Sequence, residues 1–335
     1  MLIFFHLYTA IMKSRCRTDF ATQILEKKRA MGFVTKTLTV LAGCVITSAY
    51  MGLAPAQAGE LFNGWNYTID SFDDGADGNQ RGAESGYEIY GMALKETADQ
   101  VYIAINSNLN LGGQYAEGAE DGYIHYGDLF LNFSGADLGD AQGSLFAVQF
   151  DAGNDSGVNQ VGVYGNVIGT NTAAENSGFD QMTAHRDWAN EEYEADGATV
   201  KGTASMGDLS YTEYFQQGRH AVSSSIQSGD YLGSIAFLNG QQLADAGLDF
   251  GAVNSDVAGR QTIGFNFDRS LLPEGNYIAH VFTECINDGL AMLGQLPTVQ
   301  VPDINDEVKV PEPSLLMGIV LIGGLGLAKR RMTTV

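Results

Sequence analysis

An all-β fold is predicted for the centre of this chain: an antiparallel β-sandwich of jelly-roll-like kind, a single domain with an apolar segment at each end. Three observations predict it. Short segments alternate apolar and polar residues with period two. Clusters of Gly, Asn and Asp separate them. The 42 Gly and 6 Pro among 335 residues suit tight turns and close strand packing. In helix interiors each Gly would cost about 1 kcal/mol relative to Ala.

Along the chain, strands are expected over 65–69 and 87–92. Val101, Ile103 and Ile105 then share one face of a strand, with Tyr102, Ala104 and Asn106 on the other. Leu129, Leu131 and Phe133 repeat the pattern, as do Ile263, Phe265 and Phe267. Further strands are expected over 145–150, 161–168, 231–238 and 277–283. Turn chemistry sits between them, as in Asp73-Asp74-Gly75, Gly112-Gly113, Gly153-Asn154-Asp155 and Pro273-Glu274-Gly275-Asn276. Helical patterns are short, one or two turns over 187–195 and 240–246. No internal repeat is visible, which disfavours a propeller or solenoid. The domain is placed at 59–298 and a polar linker at 299–310. The stretch 170–229, rich in Asn, Ala, Gly, Ser and Glu, reads as a long insertion or loop region.

Charge is distributed unevenly. The formal charge is −22, yet 1–58 carry seven basic and two acidic residues, and 311–335 carry three and one. That leaves 8 basic and 37 acidic residues between them, a body near −29. Such a surface repels nucleic acid. With 44% hydrophobic residues the chain is too apolar to be disordered. Basic ends around an acidic body fit an exported protein, because Lys and Arg stay on the cytoplasmic side of a membrane.

Residues 37–54 form an uncharged apolar run, preceded by Lys27-Lys28-Arg29 and Lys36. Ala56-Gln57-Ala58 follows, a small-x-small cleavage pattern just before Gly59. This predicts a signal peptide over 1–58, handled by the Sec machinery and signal peptidase. A retained anchor is the alternative, and the Ala-x-Ala end argues against it. Residues 1–30 are long for a leader's basic region. Either Met31 is the true start and 1–30 a spurious extension, or 2–11 is a second short apolar patch.

At the other end, Pro311-Glu312-Pro313 precedes fourteen uncharged residues, 315–328, and then Lys329-Arg330-Arg331. The run is short of the roughly 20 residues of a full bilayer span. Its basic triplet would still act as a stop signal. This three-part end resembles the PEP-CTERM sorting signal, which implies a short C-terminal transmembrane sorting helix over 311–335 and processing by an exosortase. The mature protein would then be released or attached at the cell surface after a transient stay in the membrane. The body is similar to exosortase-dependent surface proteins of cyanobacterial type. That likeness rests on Trp65-Asn-Tyr-Thr-Ile-Asp70, Gly127-Asp-Leu-Phe-Leu-Asn-Phe133 and Phe282-Thr-Glu-Cys-Ile-Asn-Asp288. Related domains tend to read Cys-Gly-Asn-Asp in the last motif, where this chain has Ile286 in place of the Gly.

Chemistry within the body is sparse. Cys16 and Cys44 lie in the expected leader, so Cys285 alone would remain, read as a buried small hydrophobe. His125, His185, His220 and His280 fall at no metal-ligand spacing. No Gly-x-Ser-x-Gly elbow occurs, and no enzyme is expected. Calcium is the most plausible ligand, on a loop holding Asp70, Asp73, Asp74, Asp77 and Asn79, with the last four as principal candidates. Asp151, Asn154 and Asp155 form a weaker second candidate. Asp, Asn and Gly also favour plain solvated turns. Trp65, Tyr87, Tyr90, Tyr115 and Tyr123 either stack on sugar rings or, as such residues more often do, fill a sandwich core or pair across strands. The function expected is a structural or adhesive surface protein associated with extracellular polysaccharide. The alternative is a secreted carbohydrate-binding module or glycan-active enzyme.

Overall fold

A computed structural model describes residues 59–297 apart from Asn79, residues 196–212 and His220. These residues all belong to one unit, Leu53–Val335. Ala56, Ala58, the linker and the 311–335 segment with Pro311, Glu312, Pro313, Lys329, Arg330 and Arg331 lie outside the described residues. Among the described residues no helix is long and apolar enough to cross a membrane.

The fold is all-β, with antiparallel sheets. One six-stranded sheet runs β1 (Glu60–Phe62), β2 (Trp65–Ile69), β5 (Ile89–Glu96), β6 (Gln100–Ser107), β14 (Gln261–Asp268) and β13 (Ala236–Leu238). The other runs β12 (Ser225–Gly233), β11 (Gly162–Thr170), β10 (Leu145–Gln149), β9 (Leu129–Asn132), β15 (Gly275–Phe282) and β16 (Gly289–Leu296). Two small ribbons complete the strands: β3 (Ala76–Asp77) with β4 (Gln80–Arg81), and β7 (Gln114–Tyr115) with β8 (Tyr123–Ile124).

Side chains of both sheets share one apolar core. The first sheet contributes Ile103, Ile105, Ile263 and Phe265, and the second Leu129, Leu131, Val148 and Leu290. The period-two faces of β6, β9 and β14 point into it, as the sequence predicts. The opposite faces are not left to water. Trp65, Tyr67, Ala93 and Ala104 pack under Leu243 of α2 (Gly240–Asp245) and Phe250 of α3 (Phe250–Val253). On the second sheet Phe130, Ala147, Val167 and Ile226 are covered by Leu138, Met182 and Phe215. Met182 opens α1 (Met182–Ala195), so the helix starts five residues before the expected 187. Asn239 caps α2 in a reciprocal pair with Gln242.

One strand expectation needs correction, and one long strand, β16, is not among those the sequence predicts. The run 231–238 is not one strand: β12 ends at Gly233 in one sheet and β13 begins at Ala236 in the other. Residues 234–235 carry the chain between sheets. Strand β16 has no period-two signature, because Leu290 and Met292 enter the shared core while Ala291 enters the outer one. A strand buried on both faces reads as a continuous apolar run.

The β15–β16 hairpin pairs Phe282 with Gly289 and closes through residues 283–288. Within that turn Ile286 N–H donates to the Thr283 carbonyl at 2.9 Å. Ile286 has φ +54°, the region that suits Gly, and is fully buried in the outer core. Burial holds a β-branched residue in a conformation that costs about 1–2 kcal/mol. Ile286→Ala is expected to destabilise by about 2–5 kcal/mol through the cavity it leaves. Ile286→Gly should cost about 1 kcal/mol less than Ile286→Ala, because Gly removes the strain. Denaturant unfolding of both variants checks the order.

Candidate functional site

Strand geometry brings distant carboxyls together where the sheets meet. Asp70 directly follows β2, Glu88 directly precedes β5, and Asp288 directly precedes β16. β2 and β5 are antiparallel neighbours, so the end of one lies beside the start of the other. β16 packs against both across the core: Asn66 of β2 donates to the Leu293 carbonyl at 2.8 Å. Asp70, Asp74 and Asp288 each offer an oxygen within 4.8 Å of the others, and all three are buried. Glu88, fully buried, adds a fourth carboxyl that interacts with Asp288 and Asp74.

Backbone donors hold these groups. Asp288 accepts from Ile89 N–H at 2.6 Å and from Gly289 N–H at 2.7 Å. Asp70 accepts from Ser71 N–H, and Glu88 Oε2 accepts from Gly75 N–H, both at 2.8 Å. Gly75 is required here, since an added Cβ would sit 2.6 Å from the Glu88 Cα. Burial pushes the Asp288 carboxyl up to about 8. Burial, then the neighbouring carboxylates, also raises Asp70 and Glu88 well above the usual range. His185, fully buried, places its Nε2 2.9 Å from the Asp74 carbonyl, and burial holds it neutral with its pKa lowered to about 4.

Of the calcium candidates in this loop, Asp74 and Asp70 join the cluster. Asp73 and Asp77 are not part of it, and Asn79 lies outside the described residues. Asp77 instead accepts from Gln114 Nε2 at 2.6 Å. Sequence reasoning did not single out Glu88 or Asp288. A signal existed for each: Glu88 is a lone acid inside the apolar run Tyr87-Glu-Ile-Tyr90, and Asp288 ends a motif noted for its likeness alone.

A second polar network sits at the end of the other sheet. Fully buried Asp128 accepts from Ile226 N–H at 2.6 Å, from Asn154 Nδ2 at 2.9 Å and from the Ser156 hydroxyl. Asp151 pairs with His125 Nδ1 at 3.1 Å and accepts from Gly112 and Gly153 N–H. That hydrogen bond raises the His125 pKa. Buried Glu284 accepts His125 N–H at 2.8 Å on one oxygen and Asp155 N–H on the other. Protein donors thus occupy both Asp151 oxygens of the weaker calcium candidate.

Three of the five candidate sugar-stacking rings are core residues: Trp65, Tyr87 and Tyr90 are buried. Tyr115 and Tyr123 are exposed, edge to face at 5.9 Å across the β7–β8 ribbon. Cys285 is fully buried in the shared core, and burial pushes its thiol up to about 12. His280 is stacked on Phe130 at 5.0 Å and is fully buried, with its pKa lowered to about 3. A concavity of about 400 Å³ lies over the second sheet, lined by Leu138, Gln142, Ile168, Tyr214 and Phe215 among others.

Burial raises Glu284 from 4.5 to about 8, so the folded state binds this proton more tightly than the unfolded chain. Its contribution is full below about 4.5 and is lost as pH rises to about 8. Melting temperature in chelator-containing buffer should therefore fall over that window. Glu284→Gln should shrink the fall and destabilise by about 1–3 kcal/mol, because the amide leaves one backbone N–H without an acceptor. Thermal melts across pH 5–9 check both. Comparison of the chain with protein-family models, curated proteins and solved structures finds no match.

Proposed function

We propose that this chain is an exported cell-surface or extracellular-matrix protein, processed by an exosortase, structural or adhesive in role and associated with exopolysaccharide. The observation that carries the reading is the pair of terminal segments around an acidic body. Residues 37–58 have the order of a signal peptide, and 311–331 the order of a PEP-CTERM sorting signal. Both basic clusters fall where a cytoplasmic side requires them. Signal peptidase, the Sec machinery and an exosortase are the processing partners, and the C-terminal apolar run holds the protein in the membrane transiently.

The body suits such a role. We read its two sheets as a β-sandwich of jelly-roll-like kind. Supporting this, the chain lays four main strands in one sheet, four in the other, and then returns to each with a pair. Each sheet has an edge strand with exposed apolar side chains, such as Leu61 of β1 and Leu232 of β12. Deleting 311–335 is expected to abolish surface attachment or C-terminal processing. Fractionation and intact mass of the native protein check this, and unchanged localisation and mass would overturn it.

A second reading, a carbohydrate-binding module or glycan-active enzyme with the same address, draws on the exposed Tyr115–Tyr123 pair. Edge-to-face rings leave one flat face for a sugar, and Tyr115 is the more exposed at 67%. On this reading Tyr115→Ala lowers retention on purified exopolysaccharide, while equal retention by both proteins removes it.

A further inference from the structure

We propose that Asp70, Asp74, Asp288 and Glu88 bind one calcium ion at the junction of β2, β5 and β16. Oxygens ligating a common calcium sit 2.3–2.6 Å from it, so opposed ligands are about 5 Å apart. The 4.8 Å limit met by Asp70, Asp74 and Asp288 lies within that span. Glu88 supplies independent support. It is fully buried and borders the three-carboxyl group: its Oε2 accepts from the N–H of Gly75, the residue after Asp74, and the N–H of Ile89, the residue after Glu88, donates to Asp288. Gly75 N–H occupies Oε2, whereas Oε1 is buried and has no hydrogen-bond partner. A buried carboxylate oxygen without a donor is costly, and a cation is the partner that removes the cost. Among the described residues neither Glu88 nor Asp288 forms an ion pair.

The donor chemistry selects the ion. All four candidate ligands are carboxylate oxygens, which suit hard cations and not zinc, with its preference for nitrogen and sulfur. Magnesium keeps several waters and demands a near-ideal octahedron. A fully buried group of protein carboxylates suits calcium better. The ion would join the loop after β2 to the turn before β16. Those segments already meet through Ala76 N–H to the Asn287 carbonyl at 3.1 Å and Asn287 Nδ2 to the Ala76 carbonyl at 2.9 Å.

The rival explanation is proton sharing, since Asp70 hydrogen-bonds Asp288. The test uses the full chain, stripped with chelator and titrated with calcium or magnesium up to about 10 mM, above the range of extracellular calcium modules. Calorimetric titration and thermal melts are the readouts. One calcium per chain is expected, with a clear rise in melting temperature and a much smaller rise for magnesium. Glu88→Gln and Asp288→Asn should each weaken calcium binding by at least about tenfold. The surface control Asp256→Asn should leave it unchanged. Should Asp288→Asn fail to fold, Glu88→Gln and the wild-type melts decide. A wild-type protein that takes up no calcium, or melts identically with and without it, overturns the proposal in favour of shared protons. Equal affinity in Glu88→Gln and wild type overturns it in favour of surface binding elsewhere.

Discussion

The packing of β16 against β2 and β5 is the contact on which most of the molecule depends. It is a non-local contact, joining residues more than two hundred positions apart, as in the bond from Asn66 to the Leu293 carbonyl. Through it the two sheets exclude water from one apolar core, the non-directional driving force that stabilises the body. The same exclusion reaches the strand ends. Asp70, Glu88 and Asp288 flank these three strands, so closing the core also takes their carboxyls out of water.

Removing ionised carboxyls from water is expensive, and the fold answers with backbone donors. Ser71, Gly75, Ile89 and Gly289 each direct an N–H at the cluster. Asp128 and Glu284 are treated in the same way at the end of the second sheet. Both networks draw on the single turn between β15 and β16. Its residue Glu284 enters one network and Asp288 the other, while Cys285 fills the shared core and Ile286 the outer one. Four side chains in four directions from so short a turn account for a strained backbone at Ile286.

Both sheets are also covered on their outer faces, which changes what burial means for individual residues. Tyr102 and Ala104 lie on the polar side of an alternating strand by pattern, yet Ala104 is fully buried beneath α2 and α3. His280 lies within a strand and stays neutral because aromatic rings enclose it. Hydrophobic pattern alone therefore understates how much of this domain is interior.

The sequence by itself determined the class of the fold, because side chains alternate along a strand wherever one face packs more strongly than the other. That holds for β6, β9 and β14, and the boundaries of β2 are read correctly from it. It also determined the order of charge and apolarity at the two ends, a property of the chain that needs no folding. Tertiary structure decided the rest. Burial on both faces erased the alternation of β16, and a sheet-to-sheet crossing divided a run that reads as one strand into β12 and β13. It decided as well which acids meet. Asp70 and Asp74 are close in sequence, but Glu88 lies beside Asp70 because β2 and β5 pair within one sheet, and Asp288 joins them because β16 of the other sheet packs against those strands, an approach that no local spacing encodes.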